Sequence, residues 1–220
     1  MSKKRILFVV AHPDDEVLGG GATIKKMVEE GHQVRIVILN ADFEISRPNM
    51  AEDLIKSKEA LGIDYVYCFD FKNMDFFNEN HREMVISVEK CINDFKPHII
   101  FTHSPNDIHS DHKIVNMITL QASRYGQRNS SNWDVQELYY FEVLSSTDWG
   151  VKPFEPDTFV EVSQEQLDAK INALKVYQNV LRPAPHPRRE ENIYALATYR
   201  GSQIGYKYAE AFKCVWRKHL

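Results

Sequence analysis

Two short polar clusters hold the residues best suited to chemistry. In VVAHPDDEVLGGG, from Val9 to Gly21, an apolar run ends at His12, and Asp14, Asp15 and Glu16 follow Pro13. In HSPNDIHSDH, from His103 to His112, three histidines lie among Asp107 and Asp111. Adjacent like charges repel, and buried ones are costly unless something compensates them. A divalent cation would compensate them; so would full exposure in surface turns. Pro13 biases His12 towards an extended backbone, so neighbouring side chains point in different directions. Asp14 and Asp15 therefore cannot share one job: one can hold a metal while the other addresses a water on it. His109 and His112, three apart at the start of an expected helix, fall on neighbouring parts of one face. Asp111 between them can orient an imidazole from behind. Two histidines and a carboxylate suit a catalytic zinc with an open position for water. One assignment the parts allow takes His12, Asp15 and His112 as ligands, Asp14 as base and His109 as electrophile or acid.

Such clusters need elements to carry them. Apolar runs at Arg5 to Val10, Gln33 to Leu39, Tyr65 to Phe69 and His98 to Thr102 read as strands. Helical spacing follows each, over Gly21 to Gly31, Asn49 to Ile63, Asn80 to Phe95, and Ser110 to Tyr125 with Ser110 as cap. Four alternations of strand and helix predict βαβ units. The expected fold class is α/β, a Rossmann-like, mostly parallel sheet with helices on both faces. Shorter strands are expected at Glu137 to Val143 and Thr158 to Val162, and a helix at Gln164 to Gln178. Prolines make Arg182 to Glu191 a loop. Ile193 to Phe212 reads as helical, broken near Gly201 and Gly205. In open α/β sheets ligands bind beyond the carboxyl ends of the strands. The two clusters follow strands one and four, so they should face one crevice. The glycines after Glu16 do not fit a dinucleotide turn, whose GxGxxG follows the strand directly. They suit close packing of the first helix.

The 220 residues carry a formal net charge of -4, which gives no sign of a nucleic-acid surface. No stretch approaches the ~20 apolar residues of a membrane span. Cys68, Cys91 and Cys214 are odd in number and far apart, as expected of reduced thiols used in packing. With no linker or repeat, the expectation is one domain over residues 1–220, cytoplasmic, with no nucleic-acid or membrane partner. An iron(II) oxygenase could use the same two histidines and carboxylate, although the alternation of strand and helix argues against the usual all-β scaffold. A non-catalytic sugar- or metal-binding protein is a further reading, and it has no need of Asp14 and His109 together.

AHPDDEVLGGGATI together with HSPNDIHSDHKIV resembles the LmbE-like or PIG-L family of zinc-dependent N-deacetylases. The tail from His186 to Phe212 is similar to the ending of bacterial members. The resemblance implies removal of an N-acetyl group from an N-acetylglucosamine-type amino sugar or its conjugate, with release of acetate. The family's substrates include sugars linked to malate, inositol or phosphatidylinositol. It implies Zn2+ held by His12, Asp15 and His112, with Fe2+ fitting the same ligands. It also implies Asp14 as general base, His109 as the oxyanion-stabilising histidine and Asp111 as the residue that orients His109. Arg47 is the nearest match to a substrate-gripping arginine, and His186, Arg188 and Arg189 lie in a loop that could close over the site. Bacterial relatives are often trimers or hexamers, which implies a homo-oligomer. Within the hydrolases, an amidase acting on a thiol conjugate or another amide is the alternative.

Overall fold

The computed structural model describes residues 3–41, 49–128 and 133–218. The elements run β1 (Arg5–Val10), α1 (Asp15–Glu29), β2 (Gln33–Ile38), α2 (Met50–Leu61), β3 (Tyr65–Cys68), α3 (His81–Phe95), β4 (Ile99–His103) and α4 (Ser110–Ser123). There follow α5 (Tyr125–Arg128), β5 (Glu137–Phe141), β6 (Thr158–Glu161), α6 (Gln164–Lys175), α7 (Glu190–Ser202) and β7 (Ala209–Arg217). The strands form one sheet in the order β3-β2-β1-β4-β5-β7-β6. The first five are parallel, and β7 runs antiparallel to both β5 and β6. Chain order reverses between β1 and β4, which makes that the topological switch point.

Strand β1 shows why the sheet is covered on both sides. Ile6, Phe8 and Val10 enter a core with residues of α1, α2 and α6, whereas Leu7, Val9 and Ala11 enter one with residues of α3 and α4. Successive side chains of a strand point to opposite faces, so a strand buried on both faces reads as a continuous apolar run. The α/β expectation holds, as do the first four strand–helix pairs to within a few residues at most ends.

Three local expectations are corrected. Helix α1 starts at Asp15 rather than Gly21 and runs through the glycines, with Gly20 outside helical geometry (φ -160°, ψ 24°). The glycines permit close packing, as expected: a Cβ on Gly19 would lie 2.3 Å from the Phe141 ring. The cap of α4 is His109, whose side chain accepts from the Asp111 amide, and not Ser110. The tail is not helical throughout, because α7 ends at Ser202 and Ala209–Arg217 is a strand wedged between β5 and β6. Its buried Glu210 accepts from the Ala22 and Thr23 amides and from Lys170 Nζ at 2.6 Å, tying β7 to α1 and α6. Arg200 makes a forked pair with Glu142, both contacts 2.8 Å. The tail motif thus builds the far side of the sheet.

Candidate metal centre

At the end of β1 the chain turns through Pro13 into α1, and at the end of β4 it passes through Asp107 into α4. The first turn folds back on itself. The Asp15 carboxylate accepts the His12 amide at 3.0 Å, and the Glu16 carboxylate accepts the Asp14 amide at 3.2 Å. Pro13 has no amide to satisfy. Asp14 adopts φ 106°, a left-handed conformation that side-chain-bearing residues rarely take and that clusters at functional sites.

These two turns bring three imidazoles onto one carboxylate oxygen. Asp15 Oδ2 lies 3.4 Å from His12 Nδ1, 3.3 Å from His112 Nε2 and 3.5 Å from His103 Nε2. Asp15, His103 and His112 are each 1% exposed or less. The other ring nitrogens of His12 and His112 each face a second carboxylate. His12 Nε2 is 3.1 Å from Asp111 Oδ2, and His112 Nδ1 is 3.1 Å from Asp107 Oδ2. Asp107 is itself fully buried and accepts from the Ser146 and Thr147 hydroxyls and the His109 amide, each at 2.8 Å. Asp111 also accepts the Met74 amide at 2.8 Å, which ties the 71–80 loop to the centre.

The electrostatics show that the cluster draws positive charge. Burial alone would lower the pKa of His12, but hydrogen bonds to Asp111 and Asp15 raise it to about 9. Burial would likewise lower that of His112, but the Asp15 charge and the Asp107 contact raise it to about 10. Asp15 stays well below the usual carboxylate range despite burial, because His112 and His103 face it. Two protons on His12 and His112 thus supply the positive charge that the carboxylates demand. A divalent cation supplies the same charge, and the donor set of two nitrogens and a carboxylate oxygen with oriented far sides fits one. Among the described residues, the sets whose ligand atoms all lie within 4.8 Å of one another are His12, His109 and His112, and Asp15, His103 and His112, each sharing two members with the expected trio.

His109 differs from its neighbours. Burial and the charges on His112 and His12 push its pKa down to about 4, so it is neutral at pH 7. Its Nδ1 accepts the Asp111 amide at 3.2 Å. The ring proton therefore sits on Nε2, leaving a donor. His109 lines a cavity of about 290 Å³ that Asp14, Asp15, His12, His112 and Arg188 also line. Arg188 is anchored through Nε to Leu144 O and Ser145 Oγ, with Nη1 3.6 Å from Asp14 Oδ2.

The structure therefore brings His12, Asp14, Asp15, His109, His112 and Arg188 together. Asp111 is present, but its carboxylate faces His12 rather than His109, which meets only its backbone amide. The side chain of His109 caps α4 itself, so its second nitrogen is already used. His186 is in the neighbouring loop, where its Nδ1 accepts the Arg188 amide, and it does not line the cavity. Arg189 bonds Asn192 instead. Arg47 falls outside the described residues. Sequence reasoning passed over Asp107 and His103. Asp107 had a signal, an acid just ahead of a helix bearing two histidines. His103, the last residue of a buried strand, had only its position. Asn40, Met50, Asn73 and Met74, which complete the cavity wall, carried none.

The family model described as PIG-L, GlcNAc-PI de-N-acetylase, matches residues 7–123. Diacetylchitobiose deacetylase of Thermococcus kodakarensis is 24% identical over 96% of this chain and 83% of its own length. The solved diacetylchitobiose deacetylase of Pyrococcus horikoshii superposes with a TM-score of 0.77 at 18% identity, covering 96% of this chain and 84% of that one. GalB, the 4-carboxy-2-hydroxymuconate hydratase of Pseudomonas putida KT2440, superposes equally well, with a TM-score of 0.77, 20% identity and 99% and 98% coverage. The shared fold therefore does not choose the reaction; the site must.

Proposed function

We propose, from the premise that the chain belongs to the PIG-L (GlcNAc-PI de-N-acetylase) family, that it is a metal-dependent hydrolase of the N-acetyl group on an N-acetylglucosamine-type amino sugar or its conjugate. The observation that carries this reading is the convergence of His12 Nδ1 and His112 Nε2 on Asp15 Oδ2, beside Asp14 and His109 in one cavity. His12, Asp15 and His112 would hold the metal, and their mixed nitrogen and oxygen donors suit zinc, with iron(II) as the other candidate. When bound, such an ion polarises an amide carbonyl and lowers the pKa of water to about 7.

The chain's own residues do the rest. Asp14 takes the proton of the attacking water. His109 donates from Nε2 to the carbonyl oxygen as negative charge develops there, a stabilisation available because its Nδ1 is already engaged. Asp14 then gives its proton to the departing amine, and acetate and the free amino sugar leave. Asp107 and Asp111 keep His112 and His12 in the required tautomer and orientation. Arg188, fixed by Ser145 and Leu144, reaches Asp14 and can orient it or a polar group of the substrate. The sugar or aglycone meets the wall of Asn40, Met50, Asn73 and Met74. A water-soluble substrate and a cytoplasmic location belong to this reading; no helix of the described residues is long and apolar enough to cross a membrane. The trimer or hexamer implied by the resemblance belongs to this reading and is checked by analytical ultracentrifugation.

Asp14→Asn should keep metal content and lower turnover by about 10² or more, the range for a general acid–base group. His112→Ala should lose the metal. Unchanged turnover in the first, or full occupancy in the second, would overturn the assignment.

A further inference from the structure

We infer that Glu16 is a positioning residue that holds the catalytic base in place through its backbone. The inference rests on the reading of Asp14 as base. Glu16 is 1% exposed, it does not line the cavity, and no Lys, Arg or His among the described residues pairs with it. An acid in the first turn of a helix can favour the helix dipole from the surface and has no need of burial. Inside, its Oε2 accepts the Asp14 amide at 3.2 Å, and its carboxyl group also meets its own amide.

Asp14 needs that partner. Its φ of 106° is unfavourable for a residue with a side chain, and such a conformation persists only where its surroundings over-determine it. The carbonyl of Asp14 is fixed by the Leu18 amide at 2.8 Å and the Val17 amide at 3.1 Å. On the other side of the residue, Glu16 fixes the amide. Between these anchors the Cα–Cβ bond has one direction, towards the cavity. Without the acceptor, φ is free to relax to negative values. The carboxylate then swings away from where the water must sit. His12 and Asp15 are held by separate bonds, so the metal ligands stay.

The test uses the zinc-loaded full chain with N,N′-diacetylchitobiose as probe. Glu16→Met keeps length and bulk but has no acceptor, and Glu16→Gln keeps an acceptor oxygen. Glu16→Met should lower kcat by about 10- to 100-fold, the scale of a misplaced catalytic group, with KM and zinc content unchanged. Glu16→Gln should recover at least a third of the original kcat. Glu16→Asp, which keeps the carboxyl group but loses the reach, should behave like Glu16→Met and replaces it if that variant does not fold. Crystal structures of the variants give a readout that needs no turnover: Asp14 leaves positive φ in Glu16→Met and keeps it in Glu16→Gln. Asp14 at positive φ in both, or equal kcat losses in both, would overturn the inference. Asp14→Asn is assayed in parallel. If it retains full turnover, the reading of Asp14 as base has failed; if it falls while Glu16→Met does not, only the positioning role has.

Discussion

Replacing Asp107 with asparagine tests whether the buried carboxylates behind the histidines prepare a metal site. Asp107 faces four donors: the hydroxyls of Ser146 and Thr147, the His109 amide and His112 Nδ1 at 3.1 Å. It accepts from the first three and faces His112 Nδ1, so once metal displaces the extra proton it would favour the remaining one on Nδ1 and leave Nε2 for the ion. An asparagine has one acceptor oxygen and one donor nitrogen. If the nitrogen faces His112, the imidazole proton moves to Nε2 and blocks the ligand atom. If the oxygen faces His112, the amide nitrogen meets the His109 N–H, donor against donor. Loss of such a supporting carboxylate costs about 10- to 100-fold in metal affinity, or about 1.4–2.7 kcal/mol. The assay is a zinc competition titration against a chromophoric chelator, with the fold checked by circular dichroism. If folded Asp107→Asn binds zinc as tightly as the unaltered chain, the supporting role of Asp107 is refuted.

Two further outcomes follow from the same geometry. In the metal-free protein the pKa values of His12 and His112 are raised to about 9 and about 10, so both are protonated at neutral pH. Their contribution to metal-free stability is fully present below about 6.5 and is lost as pH rises through those values. Metal must displace these protons, so binding at pH 7 should release about two protons per ion and tighten as pH rises; titration calorimetry in buffers of different ionisation enthalpy checks this, and zero release would contradict it. Gly19→Ala places a Cβ 2.3 Å from the buried Phe141 ring, so it should destabilise by about 1–3 kcal/mol and lower Tm by roughly 2–12 °C, despite alanine's better helix propensity. A thermal melt in which this variant matches or exceeds the original would show that the ring moves freely.

The centre was legible where chemistry and topology coincide. His12 and Asp15 follow β1, and His109 and His112 follow β4, adjacent strands at the switch point, so the crevice could be found without contacts. Burial on both faces made the parallel strands plain as apolar runs. Strand β7 was harder. Ala209, Glu210, Ala211 and Phe212 are helix-compatible residues, and pairing on both edges of the strand overrides that local preference. Glu210 looks like a surface residue until Lys170, distant in sequence, is seen to meet it. Asp111 was misdirected for a related reason. Spacing left open which imidazole it orients and the resemblance implied His109, but its carboxylate turns to His12, which arrives from the end of β1. His103 escaped because its place behind other side chains shows only in the packed fold, and Asp107 because its signal, an acid ahead of the histidines, was passed over.

The most direct measurement is acetate release from a panel of N-acetylated amino sugars, made on the chelated protein before and after zinc is returned. The panel spans N-acetylglucosamine, its malate and inositol glycosides, N,N′-diacetylchitobiose and a nucleotide-linked sugar. The account predicts acetate from at least one member only when metal is present, and loss of that activity in Asp14→Asn. No acetate from any member, from a protein that binds zinc stoichiometrically, would contradict the proposed deacetylation and leave a metal centre directed at another amide or at binding alone.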